Sequence, residues 1–385
     1  MRRASVLILL TAIAPFLAGR CCLAVTSFAA GVQTGTIQNS SITEASGIAA
    51  SRKNANVLWT HNDSGNPAQV FAMTPAGTNL AAYTLTGTTN RDWEDISVGP
   101  GPTVGAQYLY VGEIGDNNAV YPSVAIYRVP EPVASATQSP VTANLSGSVK
   151  FTFTYPDGPR DADSMFVDPQ TKDIYIISKR ESPHHVYRAA YSQATDSYAG
   201  LVLATTFVDA DWLTAGDISP DGSEIIVRGY PTTSGRMFVR SDGGTITDAF
   251  NTTPITIPVH SENQGEAIGF DPNGWGYYTT SEGSNQPIYY FNRQPHGDFN
   301  HNGMVEAADY AVWRKGLGSV YQASNYTTWR ANYGKSAPGD GAGSLVVAIP
   351  EPGAWALAMM GVAAIFLRMP RSCRRPVVSV LLSPR

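Results

Sequence analysis

Between Glu44 and Arg293 the chain alternates apolar and polar residues in short runs: VLWTH, YLYVGEI, VAIYRVP, KFTFTYP, DIYIISK, EIIVRGY, RMFVRS, GYYTTSE and PIYYFN. The runs are rich in Tyr, Val, Ile, Phe and Thr and are bounded by Gly, Pro, Asn and Asp. Apolar residues at helical spacing are scarce. A period of two built from β-branched and aromatic residues is the pattern of half-buried strands. It predicts an all-β domain of about 250 residues.

The strands recur in units. EASGI ending at Ile48, DWEDI at Ile96, DADSM at Met165, TAGDI at Ile218 and QGEAI at Ile268 share a polar or acidic opening and a short strand, at spacings of 48, 69, 53 and 50 residues. The longest interval holds VASATQSPVTANLSGS, which reads as a surface loop. VDPQTKD from Val167, SPDG from Ser219 and DPNG from Asp271 fall at one phase of the repeat. Pro early in a turn pre-sets a tight reversal, so these predict hairpins between the first and second strands of a unit. About four strands per unit make one propeller blade. The last unit, from Gln264 to Arg293, has room for three, and GVQTGTIQN near the start supplies a fourth that closes the ring and removes free edges. The expectation is a β-propeller over residues 31–293, five-bladed, with six blades the alternative if the insertion hides a degenerate unit.

The two ends alter the reading of the rest. Residues 1–24 carry Arg2 and Arg3, an apolar run and a small-residue exit at Ala24, the layout of a secretory signal, with cleavage near Ala24 or Ala30. Removal of Cys21 and Cys22 leaves Cys373 as the one cysteine, so no disulfide, Cys-type zinc site or cysteine nucleophile is expected in the exported fold. Near the other end, Pro350-Glu351-Pro352, a short apolar stretch and an arginine cluster at Arg368, Arg371, Arg374 and Arg375 follow in order. Residues 349–375 thereby resemble a PEP-CTERM sorting signal. That resemblance implies a short transmembrane helix, an exosortase-type processing enzyme as partner, transient anchoring in the inner membrane, and release to the cell surface or medium. The positive-inside bias places the arginines in the cytoplasm and the rest outside.

The whole chain has 26 Lys and Arg against 31 Asp and Glu, a net charge of −5. The basic residues cluster at the ends, and the exported part alone is more acidic, roughly −12. Nucleic acid is excluded as a partner, because phosphate binding needs a basic footprint. An acidic surface suits divalent cations and neutral or cationic ligands. A monomer is expected.

Innermost propeller strands line the central channel, and the unit openings are acid-rich: Glu44, Asp92, Glu94, Asp95, Asp161, Asp163, Asp217 and Glu266. The ends of the second strands add His61, Asn62, Asp63, Glu113, Asp116 and Glu282. Carboxylates and Asn carbonyls converging without thiols favour a hard cation such as calcium. The same acids at blade starts can instead cap turns or pair with Arg91 and Arg160. The layout is similar to extracellular calcium-dependent propellers of the lactonase-like and esterase-like phytase kinds. GxSxG, HExxH and Walker-type motifs are absent.

After Arg293 the pattern changes. GDFNHNGMVEAADY places Asp298, Asn300, Asn302, the Met304 carbonyl and Asp309 at alternating positions of a calcium loop, with Gly303 at its sharp turn and Val305 as its apolar anchor. With Asp at the last position and YAVWRKGLG following, residues 296–336 resemble a type I dockerin half. Tyr326-x-x-Trp329-Arg330 echoes Tyr310-x-x-Trp313-Arg314, but GLGSVYQ lacks the row of Asp or Asn. One calcium site and one metal-free helical half are expected, and the resemblance implies a cohesin-like partner. Residues 337–348 form a linker. Two functions remain open: an exported propeller that binds a ligand or matrix polymer such as an extracellular polysaccharide, or a calcium-dependent hydrolase of lactonase-like, phosphoesterase-like or polysaccharide-acting type.

Overall fold

Each of the nine alternating runs forms a strand, and the strands assemble into five mainly antiparallel sheets arranged as a five-bladed β-propeller. The computed structural model describes residues 27–336, apart from 196–198, 233 and 301. The secretory signal, the linker and Pro350, Glu351 and Pro352 of the sorting tail lie outside the described residues. Among the described residues no helix is long and apolar enough to cross a membrane.

In chain order the inner strands are Ala45–Ala50, Trp93–Pro100, Ala162–Val167, Trp212–Ile218 and Gly265–Phe270, one per blade. Each pairs with the next strand through a tight hairpin. The predicted turns fall there: Gly222 and Gly274 take φ of +77° and +72°, a left-handed conformation that glycine adopts without a Cβ clash. In blade 5, Pro287–Gln294 pairs with Gly276–Ser281 on one side and with Val32–Thr36 on the other. The N-terminal strand therefore closes the ring as expected.

The insertion behaves differently from the expected loop. Its Val141–Leu145 segment runs parallel to Asn79–Leu85 as a fifth strand on blade 1, although it leaves the chain from blade 2. VTANL alternates apolar Val141, Ala143 and Leu145 with Thr142 and Asn144, and Ala143 and Leu145 pack against the core between blades 1 and 2, so alternation marks a strand that its polar, Ser- and Thr-rich surroundings disguise as loop. Ala199–Gly200 makes the same kind of parallel addition to blade 2.

The core is five layers, one between each pair of neighbouring blades. Trp59 and Trp93 fill the first; Tyr110, Met165 and Tyr187 the second; Phe166, Phe207 and Phe238 the third; Met237, Phe270 and Tyr277 the fourth; Ile48, Phe71 and Ile288 the fifth. The short helix Ile246–Phe250, started by a Thr245–Asp248 capping box, adds Phe250 to the third. At the axis the inner strands nearly touch: a Cβ on Gly269 would lie 2.3 Å from the Ile48 carbonyl oxygen.

Buried carboxylates stitch this axis. Asp95 Oδ2 accepts the Met165 N–H of blade 3 at 2.8 Å and the Gly216 N–H of blade 4 at 3.1 Å. Asp217 Oδ2 accepts the Phe270 N–H of blade 5 at 2.8 Å. Burial lifts the Asp217 carboxyl to about 6, against the opposing pull of Arg52 and two backbone N–H groups. The folded state then holds this proton more tightly than the unfolded chain does. Its contribution to stability is therefore complete below about pH 4 and falls by up to about 3 kcal/mol as pH rises through 6. Asp217→Asn keeps an oxygen for Phe270 but cannot ionise. Urea unfolding at about pH 4 and pH 7 should show the variant gaining about 2–3 kcal/mol on the parent between the two values, and a pH-independent difference would show that Asp217 ionises at no cost.

Candidate functional site

All five inner strands carry a bulge in their pairing with the second strand, near the entry end. The residues left out of register are Ser46-Gly47, Glu94, Asp163, Thr214 and Glu266. A bulge kinks the strand and re-aims its side chain, and repetition around the ring aims these residues together at one mouth of the channel. Two residues earlier in four blades stand Glu44, Asp92, Asp161 and Gln264. Their carbonyls accept the N–H of Asp63, Gly115, Lys179 and Glu282, which continue the second strands. Three positions per blade thus rim the mouth.

Asp63, Asp92 and Glu94 converge so that one oxygen from each lies within 4.8 Å of the others. Glu94 is 5 % exposed, and Ser46 Oγ donates to its carbonyl at 2.7 Å and to its Oε2 at 3.3 Å. Gly115 leaves the space into which these groups point. A Cβ there would lie 2.2 Å from Glu94 Oε1 and 2.7 Å from Asp92 Cγ. Beside the triad, Lys179 Nζ pairs with the fully buried Asp163. Asp163 Oδ1 and Glu266 Oε2 are buried and have no hydrogen-bond partner. Glu44 accepts Asn66 Nδ2 at 2.5 Å and Glu282 accepts Gln264 Nε2 at 2.5 Å on the rim.

The charges do not balance. Burial, then Asp163 and Asp63, hold Glu94 well above the ordinary carboxylate range. Burial, then Asp63 and Asp161, push Asp92 up to about 6, and burial, then Glu266, Asp63 and Glu44, push Glu282 up to about 7. Asp63, Asp163 and Glu266 are raised as well, chiefly by burial. Lys179 loses solvation, but Asp163, Glu266 and Glu94 outweigh that loss and hold its ammonium charged. One lysine among these carboxylates leaves an excess of negative charge that a divalent cation would relieve. Three carboxylates in a thiol-free setting fit a hard cation of the calcium type.

Other residues expected at the channel serve elsewhere. His61 is buried with its ring 5.9 Å from Trp93, and burial lowers it to about 4, so it packs as a neutral imidazole between blades 1 and 2. Asn62 Oδ1 accepts the Thr43 and Glu44 N–H groups and its amide donates to Ser41, which fixes the approach to blade 1. Glu113 faces within blade 2, accepting Tyr127 Oη at 3.2 Å with Lys150 at 3.6 Å. Asp116 accepts the Tyr121 N–H and donates its own N–H to Asp161. Asp95 and Asp217 sit on the axis as described. Lys179, Ser46 and Gly115 escaped sequence reasoning. Only Lys179 left a signal, since it stands after the second strand of its unit as Asp63 and Glu282 do in theirs.

The C-terminal helices, Ala307–Gly316 and Ala323–Asn332, exchange symmetric contacts. Trp313 Nε1 donates to the Gln322 carbonyl at 3.0 Å and Trp329 Nε1 to the Glu306 carbonyl at 2.9 Å. The preceding loop is already folded. Asp298 accepts the Asn302 and Gly303 N–H groups, and Asp309 accepts those of Phe299, Asn300 and Glu306. Asn302 Oδ1 accepts the Met304 N–H at 3.0 Å, Asn300 Oδ1 accepts that of Asn302, and Gly303 has φ of +87°. The oxygen donors of Asp298, Asn300, Asn302, Met304 and Asp309 suit a hard cation by their chemistry.

No family model and no curated protein matches this chain. Among solved structures, it is similar to a luciferin-regenerating enzyme at 10 % identity and a TM-score of 0.38, covering 67 % of this chain and 92 % of that one. It is also similar to a chain of a mitotic checkpoint complex at 14 % identity and a TM-score of 0.32, covering 62 % of each. Likeness this low says nothing of function, which rests on the residues themselves.

Lys179→Met tests the charge balance of the mouth. It strands Asp163 without a counter-charge, and at about pH 7 should cost about 3 kcal/mol or more, less as pH falls and Asp163 takes up a proton. Adding Asp163→Asn should recover more than half of that loss in denaturant melts. Equal stability of the single variant and the parent would remove Lys179 from the electrostatic design.

Proposed function

We propose that the mouth of the propeller binds a divalent cation, calcium by the chemistry of its donors, and uses it to hold an oxygen-rich ligand. The observation that supports this most is the convergence of Asp63, Asp92 and Glu94 around the space left by Gly115. Asp63, Asp92 and Glu94 would hold the ion, and a cation there supplies Lewis acidity and open coordination positions. Lys179 holds Asp163 and shares the field of Glu94, while Ser46 fixes the Glu94 carboxylate. The acidic rim draws cations to the channel.

A second reading, hydrolysis, is supported by Glu282. A rim carboxyl that burial and its acidic neighbours raise above the ordinary range is the group suited to accept and return a proton. The residues outside the propeller support a wider setting for either reading: export, transient anchoring and exosortase-type release through the tail at Pro350, Glu351 and Pro352, and a dockerin-like, calcium-stabilised module for assembly with a cohesin-like or polysaccharide partner.

Calorimetric titration of calcium into the full chain carrying Asp298→Ala, which silences the module loop, tests the cation centre. One ion per chain is expected, weakened at least about tenfold by Asp63→Asn, Glu94→Gln or Gly115→Ala. Gly115→Ala is the sharpest of these because it removes no ligand and meets only the flexible ends of two side chains. Absence of binding, or indifference to all three substitutions, would sink the reading. For hydrolysis, a panel of lactones, phosphate esters and glycosides should show chelator-sensitive turnover that Glu282→Gln lowers without changing calcium affinity.

A further inference from the structure

The mouth is unevenly furnished. Blades 1, 2, 3 and 5 place carboxylates around it, whereas the corresponding positions of blade 4 are Trp212 and Thr214, and Thr214 Oγ is engaged by the Gly265 carbonyl. Trp212 is 43 % exposed. It is also fixed in place. The Leu213 N–H donates to the Lys179 carbonyl at 3.2 Å, and the Arg180 guanidinium lies 4.6 Å from the indole ring centre. Arg180 is itself held by Asp161 and by Asn117 of blade 2. A second aromatic is locked in the same way on the other flank: Arg91, next to Asp92, lies 4.1 Å from the ring centre of Tyr121. Each ring thus has an arginine against it, Tyr121 next to blade 2 of the triad and Trp212 on blade 4, and on blade 3 between them Asp163 Oδ1 is buried and unpartnered.

Resting on the cation centre proposed above, we infer that the ligand is a neutral glycan whose vicinal hydroxyls complete the coordination of the cation while a sugar ring stacks on Trp212. A pyranose has an apolar C–H face that suits an exposed indole, and its hydroxyl pairs are hard oxygen donors of the kind calcium takes. Neutrality follows from charge. Carboxylates stand on four of the five blades, and the lysine among them is paired with Asp163, so an anionic ligand would meet acids with no cationic side chain left to receive it. The Arg180 charge is spent on Asp161 and offers an acidic sugar no compensation.

The test uses the full chain with saturating calcium and two probe sets: neutral hexasaccharides derived from mannan, glucan and galactan, and an oligogalacturonate of the same length. At least one neutral probe should bind, lose binding on chelation and weaken at least about tenfold with Trp212→Ala, whereas Trp212→Phe stays within about threefold because it keeps a ring. Calcium affinity should be unchanged in both variants. Tighter binding of the oligogalacturonate, no binding of any neutral probe, or glycan binding indifferent to Trp212→Ala would each overturn the inference while leaving the cation centre intact. Loss of calcium affinity in both variants would assign Trp212 a structural role and overturn it equally. Failure of the parent chain to bind calcium at the mouth would instead remove the cation centre on which the inference rests.

Discussion

Closure of the ring is the constraint on which the rest of the molecule depends. Val32–Thr36 pairs with Pro287–Gln294, the last blade is completed by the start of the chain, and the five inner strands are held side by side around one axis. Closure leaves little room at the axis, as the approach of Gly269 to Ile48 shows. It also brings residues from blades far apart in sequence to one mouth. Glu94 and Asp163 are separated by the long insertion yet act on each other electrostatically.

Burying carboxylates at such an axis is unfavourable unless something receives them, and this protein receives them in two ways. Asp95 and Asp217 accept backbone N–H groups from neighbouring blades and so hold the inner strands together. Burial raises all five, but among the described residues Asp163, Glu94 and Glu266 receive no backbone N–H from a neighbouring blade. The first pair belongs to the fold. The second group is poorly satisfied by the protein alone.

The sequence carries the strands, the hairpin turns and the blade count plainly because each is a local pattern of two-residue alternation or turn chemistry. Register is less visible. The unit opening aligned at Ile218 is two residues late, since the bulge of blade 4 is at Thr214 rather than Gly216; a slip of two keeps every side chain on its face, so the apolar pattern does not oppose it. The acids of the mouth could be read from their recurrence before each inner strand. Their division into stitching and unsatisfied groups could not, because it depends on which N–H groups the neighbouring blade presents. Gly115 contributes by having no side chain, and Lys179 shows itself only by its place after a second strand, which it shares with Asp63 and Glu282. His61 misleads for the opposite reason: a histidine beside Asn62 and Asp63 looks like a ligand, yet strand alternation turns it into the packing against Trp93.

The departure of blade 4 from the repeat gives the site its direction. Four blades present acids, and a fully symmetric fifth would surround the axis with charge and leave a ligand no uncharged side from which to approach. Trp212 and Thr214 supply that side, and Arg228, buried behind them, is consumed by the Ala267 and Thr280 carbonyls and by Glu262 rather than offered to the channel. The acidic triad on blades 1 and 2 and the aromatic on blade 4 then occupy different blades of the rim, with Lys179 and Arg180 of blade 3 between them. A ligand that satisfies both must offer hard oxygens at one edge and an apolar face at the other, and the breaking of ring symmetry is what makes such a two-sided demand possible in a fold built from repeats.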